Sequence, residues 1–489
     1  MGTTKRKVIS SLFWKLMERG GTQGVQFIVQ IVLARLLLPE EYGIIALTTI
    51  FITVANVFIQ QGFGVALIQK KKIEEEDLSS VFFLNLTVAF LLYIIIFFAS
   101  PMIAQFYNQP ILKNVLRVLS ITLFMGAINS VQNAIVSRRM EFKRYFYSSI
   151  SGIILSGIIG IALAYLGAGV WALVINQIVN TLTITIVLWF TVKWRPKWIF
   201  SIKRLKELFS FGWKVLCSSL LDTIYNEMYG LVIGKVYTSE LLGYYNRGQQ
   251  FPKVIATNID GSVSSVMLPT LSSEQDNKIR LKSIMRRAIM TSSFLLFPTM
   301  FGLAAIAEPM VKLVLTDKWL PCVIFIQMLC ISYAFLPIHT ANLQAINAIG
   351  RSDIFLKLEI IKKVIGVLMM CISIPLGIYV MVGFKIVNSF VYTFINAYPN
   401  KKLFGYSIKE QWKDIFPSMT LATIMAVMVY FMKFLNLNLI LTLFLQIITG
   451  CLIYFGGAYI FKLESFQYML TTIKELKNKD GKSDKENIL

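Results

Sequence analysis

Ser80-Val-Phe-Phe-Leu-Asn-Leu-Thr-Val-Ala-Phe-Leu-Leu-Tyr-Ile-Ile-Ile-Phe-Phe-Ala99 runs for 20 residues without a charge. Coiled as a helix it extends about 30 Å, the thickness of a bilayer's hydrocarbon core. It lacks the period-2 alternation of a barrel strand, so a helix is the form that satisfies its backbone polar groups in lipid. Blocks of the same kind recur outward from it, at Gly43–Gly64 and Phe146–Gly167 and along the rest of the chain. Spans are expected at Leu12–Leu38, Gly43–Gly64, Ser80–Tyr107, Val115–Val136, Phe146–Leu166, Val170–Val192, Leu208–Tyr237 and Leu241–Leu271. They continue at Ser283–Ala307, Trp319–Ile349, Asp353–Ile374, Gly377–Tyr398, Ile415–Leu435 and Leu439–Phe461. The reading is an all-α polytopic membrane protein with about 14 transmembrane helices.

Composition agrees. The chain of 489 residues is 56% hydrophobic and 15% charged, against about a quarter charged in soluble proteins. Its net charge of +22 sits in short connectors and not on one folded face, which argues against nucleic acid as a partner and for membrane lipids. One set of alternate connectors holds Lys70–Lys72, Arg138, Arg139, Lys143, Arg144, the run from Lys193 to Lys206, the run from Lys278 to Arg287, and Lys401 to Lys413. The other set holds little beyond Lys113, Lys235, Lys312, Lys318 and Lys433. This asymmetry, about sixfold, places both termini in the cytoplasm by the positive-inside rule. Outer connectors such as Pro39–Tyr42, Gly167–Gly169 and Asn436–Asn438 are short. The basic start Met1–Val8 does not read as a cleaved signal peptide, nor Gly2 as a myristoylation site. The five cysteines lie in or beside apolar runs and form no C-x-x-C pair, so small buried side chains are expected there.

An internal repeat organises the chain. Trp14–Lys15 recurs as Trp213–Lys214, and Glu41-Tyr-Gly43 as Glu240-Leu-Leu-Gly243. Pro101–Met102, Ala134–Ile135 and Leu166–Gly167 recur in order as Pro309–Met310, Ala345–Ile346 and Leu376–Gly377. The division expected is a six-helix bundle over 1–200, a second over 201–400, two additional helices over 401–463, and a cytoplasmic polar tail over 464–489. Parallel repeats of this kind are a transporter design, with a cavity between the bundles.

Charges inside spans cost about 2.5–3.5 kcal/mol or more at a helix centre, so they are the candidate substrate-binding groups. They are Glu18, Arg19 and Arg35 in the first span, Asp222 and Glu227 in the seventh, and Arg247, Lys253 and Asp260 in the eighth. A hydrophilic cavity whose arginines hold an anion fits them; locking salt bridges and snorkelling are the alternative. His339, the single histidine, is a candidate proton or cation relay with Glu227, or a helix–helix hydrogen bond. Asn129, Gln132, Asn133, Gln177, Asn180, Gln344 and Asn347 suit sugar hydroxyls or interhelical bonds. Lys357, Glu359, Lys362 and Lys363 read as an interfacial cluster. No P-loop, Rossmann, metal-ligand or G-x-S-x-G pattern appears, so no catalytic residue, metal or cofactor is expected. Glu40–Glu41 imitates an acidic catalytic site, but Glu240 at the equivalent point of the second half favours a repeated turn.

Several strings resemble the polysaccharide-transporter branch of the multidrug/oligosaccharidyl-lipid/polysaccharide exporter superfamily. They are Leu16-Met-Glu-Arg-Gly20, Leu33-Ala-Arg-Leu-Leu-Leu-Pro39-Glu-Glu-Tyr-Gly43, Gly62-Phe-Gly-Val-Ala-Leu-Ile-Gln69, Ser137-Arg-Arg-Met-Glu-Phe-Lys-Arg144, Leu242-Gly-Tyr-Tyr-Asn-Arg-Gly-Gln-Gln-Phe-Pro252 and Gly350-Arg-Ser-Asp353. The resemblance implies a flippase in a bacterial cytoplasmic (inner) membrane. It would move polyprenyl-pyrophosphate-linked oligosaccharide to the outer leaflet by alternating access, for surface polysaccharide made with a polymerase and glycosyltransferases. It places Glu18, Arg19 and Arg247 in motif positions near the cavity. The seventh span departs from the family pattern, with Tyr229–Gly230 where many relatives carry an acidic-Asn pair. The alternatives are a cation-coupled multidrug or small-molecule antiporter of the same superfamily, a membrane glycosyltransferase, and a non-transporting scaffold.

Overall fold

The computed structural model describes residues 14–15, 17–435 and 437–471, and these are helical with no strand among them. Packing divides the chain into two compact units, Met1–Asn246 and Arg247–Leu489. The first holds a π-helical turn at Met17–Gly21 and helices α1 (Thr22–Leu36), α2 (Pro39–Gln60), α3 (Phe63–Gln69), α4 (Glu75–Phe106), α5 (Ile111–Leu119), α6 (Thr122–Arg139), α7 (Phe142–Tyr165), α8 (Val170–Thr191) and α9 (Ile202–Val236). Helix α10 (Ser239–Ser272) begins there and passes into the second unit. The second unit continues with α11 (Lys278–Val314), α12 (Cys322–Tyr333), α13 (Leu336–Ala348), α14 (Ser352–Ser373), α15 (Ile378–Phe404), α16 (Ile408–Phe431) and α17 (Leu439–Ile460). Packing therefore divides the chain elsewhere than the 200/201 boundary of the repeat, because α9 lies along α2 and α3 of the first unit.

Among the described residues, ten of the expected spans are helices long and apolar enough to cross a membrane. The first, seventh, eighth and eleventh, now α1, α9, α10 and α14, are helical but fall outside that set. Helices α9, α10 and α14 carry too many charged and polar side chains, and the α-helix described in the first span, Thr22–Leu36, has 15 residues. The charges singled out as substrate-binding candidates lie outside the ten: Glu18 and Arg19 in the turn before α1, Arg35 on α1, Asp222 and Glu227 on α9, and Arg247, Lys253 and Asp260 on α10.

Local chemistry explains the element ends. Pro39–Tyr42, expected as a connector, is instead the first turn of α2: Pro39 opens the helix and Glu41 Oε2 accepts the Leu38 N–H at 2.7 Å. The repeated glutamate, Glu240, accepts from Tyr244 Oη at 2.8 Å. The repeated glycines explain the motif. Gly43 lies against the Ser239 carbonyl and Gly243 against the Pro39 carbonyl, so the first turns of α2 and α10 cross backbone to backbone where a Cβ would collide. Gln109 Nε2 donates to Ser239 Oγ at 3.1 Å beside this crossing. Helix α7 uses the same device: Gly152 and Gly160 face Asn180 and Asn176 of α8, and Asn176 Nδ2 donates to the Ser156 carbonyl at 2.8 Å.

Charged side chains collect at the ends of the apolar segments. In the first unit Lys70 pairs with Asp77 at 2.7 Å, Arg204 with Glu74 and Glu76, and Arg138 donates to the Leu67, Ile68, Lys70 and Lys71 carbonyls. In the second, Arg286 Nε donates to both Asp414 oxygens at 3.0 Å, and its two terminal nitrogens donate to Glu464 at 2.6 and 2.7 Å. Tyr406 Oη also donates to Asp414, at 2.8 Å. These bonds bind α11, α16 and the helical residues 464–471 together. The start of the expected polar tail is thus docked on its unit, and its remainder, 472–489, lies outside the described residues.

The hydrogen bonds from Arg286 hold the Glu464 carboxyl below the ordinary glutamate range. A depressed folded pKa gives stability that is full above the unfolded value of about 4.3 and lost as pH falls through the folded value. Glu464→Gln should therefore lower the thermal midpoint of the detergent-solubilised protein at pH 7. Glu464 is largely exposed, so the shift should be a few degrees at most, and the gap to wild type should close as pH falls below about 4. An equal gap at both pH values would contradict this pairing.

Candidate functional site

The candidate residues begin in the π-helical turn Met17–Gly21, which contains Glu18 and Arg19. Such turns are rare and occur mostly at functional sites. The side chains of Glu18 and Arg19 lie outside the described residues. Arg35 is exposed on the last turn of α1, and Asp222 is exposed on α9, with Glu227 half-buried on the same helix. These residues belong to the first unit.

The second unit receives Arg247, Lys253, Asp260 and His339. Lys253 is exposed. Arg247 is only 4% exposed: its guanidinium lies over the Trp319 ring at 5.4 Å and donates to Gln250 Oε1 at 2.6 Å. This differs from the expected open cavity wall for Arg247. Gly248 beside it packs against Phe325 and the Cys322 carbonyl, so this stretch of α10 is pressed onto α12. Asp260 Oδ2 accepts from Thr340 Oγ1 at 3.0 Å, while its Oδ1 is buried with no hydrogen-bond partner among the described residues. One turn further, Gln344 Nε2 donates to Ser264 Oγ at 2.8 Å. Two polar rungs thus join α10 to α13.

His339 continues that polar seam on another side of α13. Its Nε2 is 3.3 Å from Ser389 Oγ, which itself donates to the Ser332 carbonyl at 2.8 Å. The ring lies 6.4 Å from that of Tyr392. His339 and Glu227 fall in different units, and the relay pairing of the two stays a proposal. Tyr392 Oη donates to the Lys362 carbonyl at 2.8 Å. Lys362 is 9% exposed and pairs with Glu359 at 2.5 Å. Sequence reasoning placed Lys362 and Glu359 in an interfacial cluster; the packing of α14 on α15 buries the lysine instead. Their i, i+3 spacing was the signal for a pair within one helix.

The uncharged polar groups pair between helices. Asn129 Nδ2 donates to Thr185 Oγ1 at 2.8 Å and Asn85 Nδ2 to Ser130 Oγ at 2.9 Å. In the second unit Asn342 exchanges hydrogen bonds with Gln411 at 2.9 Å each way, and accepts another from Asn400. Sequence reading passed over this amide trio, although each lies within or beside an apolar stretch where a polar side chain needs a partner.

A family model described as "Polysaccharide biosynthesis protein" matches residues 32–324, more than half of the chain. The chain belongs to this family. It is similar to the succinoglycan biosynthesis transport protein ExoT of Rhizobium meliloti, with 24% identity over 73% of each chain. It is also similar to the teichuronic acid biosynthesis protein TuaB of Bacillus subtilis, with 28% identity over 61% of this chain and 62% of that one. The fold is that of the lipid II flippase MurJ in its inward closed conformation: TM-score 0.70 at 17% identity, over 93% of this chain and 98% of that one. An inward-facing multidrug resistance MATE transporter of the MOP superfamily shares it at TM-score 0.57 and 15% identity, over 77% of this chain and 95% of that one. The chain is thus a multi-pass membrane protein of the polysaccharide biosynthesis family, with the fold that MurJ and this MATE transporter share.

Removing Lys362 would strand the partly buried Glu359 carboxylate. Lys362→Met should cost about 1.5–3 kcal/mol of stability, the loss of a charged hydrogen bond. The Lys362→Met, Glu359→Gln double variant should recover part of it, since the two side chains are coupled. Thermal unfolding in detergent reads both; additive losses would show that the pair is not coupled.

Proposed function

We propose that the protein is a flippase for polyprenyl-pyrophosphate-linked oligosaccharide, carrying it from the cytoplasmic to the outer leaflet by alternating access. The observation that carries the reading is the sorting of charge among its helices. Among the described residues ten helices are apolar enough for lipid, and the charged candidates lie outside them, on α1 and the turn before it, α9 and α10. A pyrophosphate with several sugars cannot enter hydrocarbon, whereas a polyprenyl tail is at home there. Polar helices among apolar ones offer the headgroup a hydrated path and leave the tail in lipid. Family membership supports the polysaccharide, and similarity to a succinoglycan biosynthesis transport protein and to the fold of a lipid II flippase supports the two parts of the task.

In this reading Arg19 and Arg35 in the first unit, and Lys253 in the second, are each cations available to a pyrophosphate, and Glu18, Asp222, Glu227 and Asp260 balance charge or take a coupling cation. Arg247, under Trp319, positions α10 and does not touch substrate. The membrane is the bacterial inner membrane with both termini cytoplasmic, as the basic connectors indicate. A polymerase and glycosyltransferases act before and after it. The fold shared with a MATE transporter keeps a cation-coupled antiporter as the second reading.

Reconstitution into vesicles with a fluorescent lipid-linked oligosaccharide tests the proposal. Wild type should expose the headgroup to an outside quencher, and Arg19→Ala with Lys253→Ala should slow this at least tenfold, since each cation–phosphate contact is worth about 1.5–3 kcal/mol. Equal rates would remove the anion site. Transport of a cationic drug in place of the lipid would favour the antiporter.

A further inference from the structure

A cavity of about 290 Å³ opens on the second unit between α11 and residues 464–471. That volume is at the lower end of the range for small-ligand sites, about 300–1,000 Å³. Its lining combines Arg286, Arg287 and Glu464 with the polar side chains of Ser283, Thr291 and Gln467. The two arginines differ. Arg286 is fully engaged by Asp414 and Glu464, and Glu464 spends both oxygens on it. Arg287 is exposed, lies 5.2 Å from the Tyr468 ring, and makes no ion pair within 4 Å among the described residues, although its charge helps to hold the Glu464 carboxyl down. A guanidinium that makes no close ion pair therefore lines a polar cavity whose one carboxylate is bonded to Arg286.

The depth of this cation follows from the sequence of α11. Basic residues crowd its first turns, at Lys278, Arg280, Lys282, Arg286 and Arg287. Arg287 is the last of them. The next 20 residues, Ala288 to Ala307, carry no charge, and as helix they span about 30 Å, one hydrocarbon thickness. Arg287 thus stands at the level where lipid phosphates begin. Tyr468, half out of the protein, is an aromatic of the kind that settles at that level. A guanidinium presents several donors in a plane that matches phosphate oxygens.

We infer that this cavity is a binding site for the phosphate headgroup of an anionic phospholipid, held by Arg287 with Ser283, Thr291 and Gln467 around it. The leaflet is the cytoplasmic one, and this point alone rests on the orientation proposed above. The lipid would clamp residues 464–471 against α11 and couple the docked segment to the composition of the membrane. It is a separate site from the groups assigned to the transported headgroup.

The test uses the full chain purified in a neutral maltoside detergent and titrated with short-chain dihexanoyl phosphatidylglycerol, read by intrinsic fluorescence and thermal midpoint. Wild type should bind it and gain thermal stability. Arg287→Gln should weaken binding about tenfold, Arg287→Lys should keep most of it, and Arg351→Gln, an exposed arginine paired with Asp353 elsewhere on the unit, should change nothing. Equal binding by Arg287→Gln and wild type would overturn the site. Dihexanoyl phosphatidylcholine binding as tightly would overturn the recognition of net charge. Inorganic phosphate binding as tightly as the lipid would assign the cavity to a soluble anion and overturn the lipid. No flipping is read, so this result and the transport result can fail separately.

Discussion

Hydrocarbon tolerates a helix whose backbone is paired and whose side chains are apolar, and it charges about 2.5–3.5 kcal/mol or more for each ion placed at mid-depth. Every other feature of this protein is arranged around that penalty. Its apolar helices need no further explanation. Many of its ionic groups are gathered at the ends of the apolar segments, as in the Arg286, Asp414 and Glu464 cluster, and others sit on α9, α10 and α14, which fall outside the ten apolar spans found among the described residues. A helix as polar as α9 or α10 has to face protein or water along much of its length.

Within each unit, polar side chains are matched across helix seams. Asn129 with Thr185, Asn85 with Ser130, and the Asn342, Gln411 and Asn400 trio join helices that lack a hydrophobic drive to associate in lipid. The two polar rungs from α10 to α13 and the His339, Ser389 and Ser332 chain belong to the same economy, yet they also contain a carboxylate oxygen without a partner. A buried acceptor left open beside charged helices is the kind of group that substrate or a coupling ion uses. In the function proposed above, this polar subset serves passage of a charged headgroup whose lipid tail stays outside.

Much of the architecture was legible in the sequence because the apolar blocks are long and uncharged. The all-helical class, the ten apolar spans and the paired Glu–Gly motifs were all read from residues alone. Boundaries were less legible, since helices outrun their apolar segments: α9 starts at Ile202, capped by Ser201, well before its expected apolar start at Leu208. The span expected over Trp319–Ile349 is broken into α12 and α13, with Pro337 opening the second. Side-chain placement at the site was least legible. Nothing in the spacing of Arg247 shows that Trp319, 72 positions away in sequence, will cover it, and nothing in the basic run near Lys362 shows that α15 will bury that one lysine.

The central claim is that the charged helices face water within the membrane and not acyl chains. It is tested most directly by cysteine substitution at Asp222 and Lys253, each in a background lacking the native cysteines, with labelling of intact membranes by a membrane-impermeant maleimide. The account predicts labelling at both positions, slowed by lipid-linked oligosaccharide. Reaction with a lipid-soluble maleimide alone would place these side chains in hydrocarbon and contradict it.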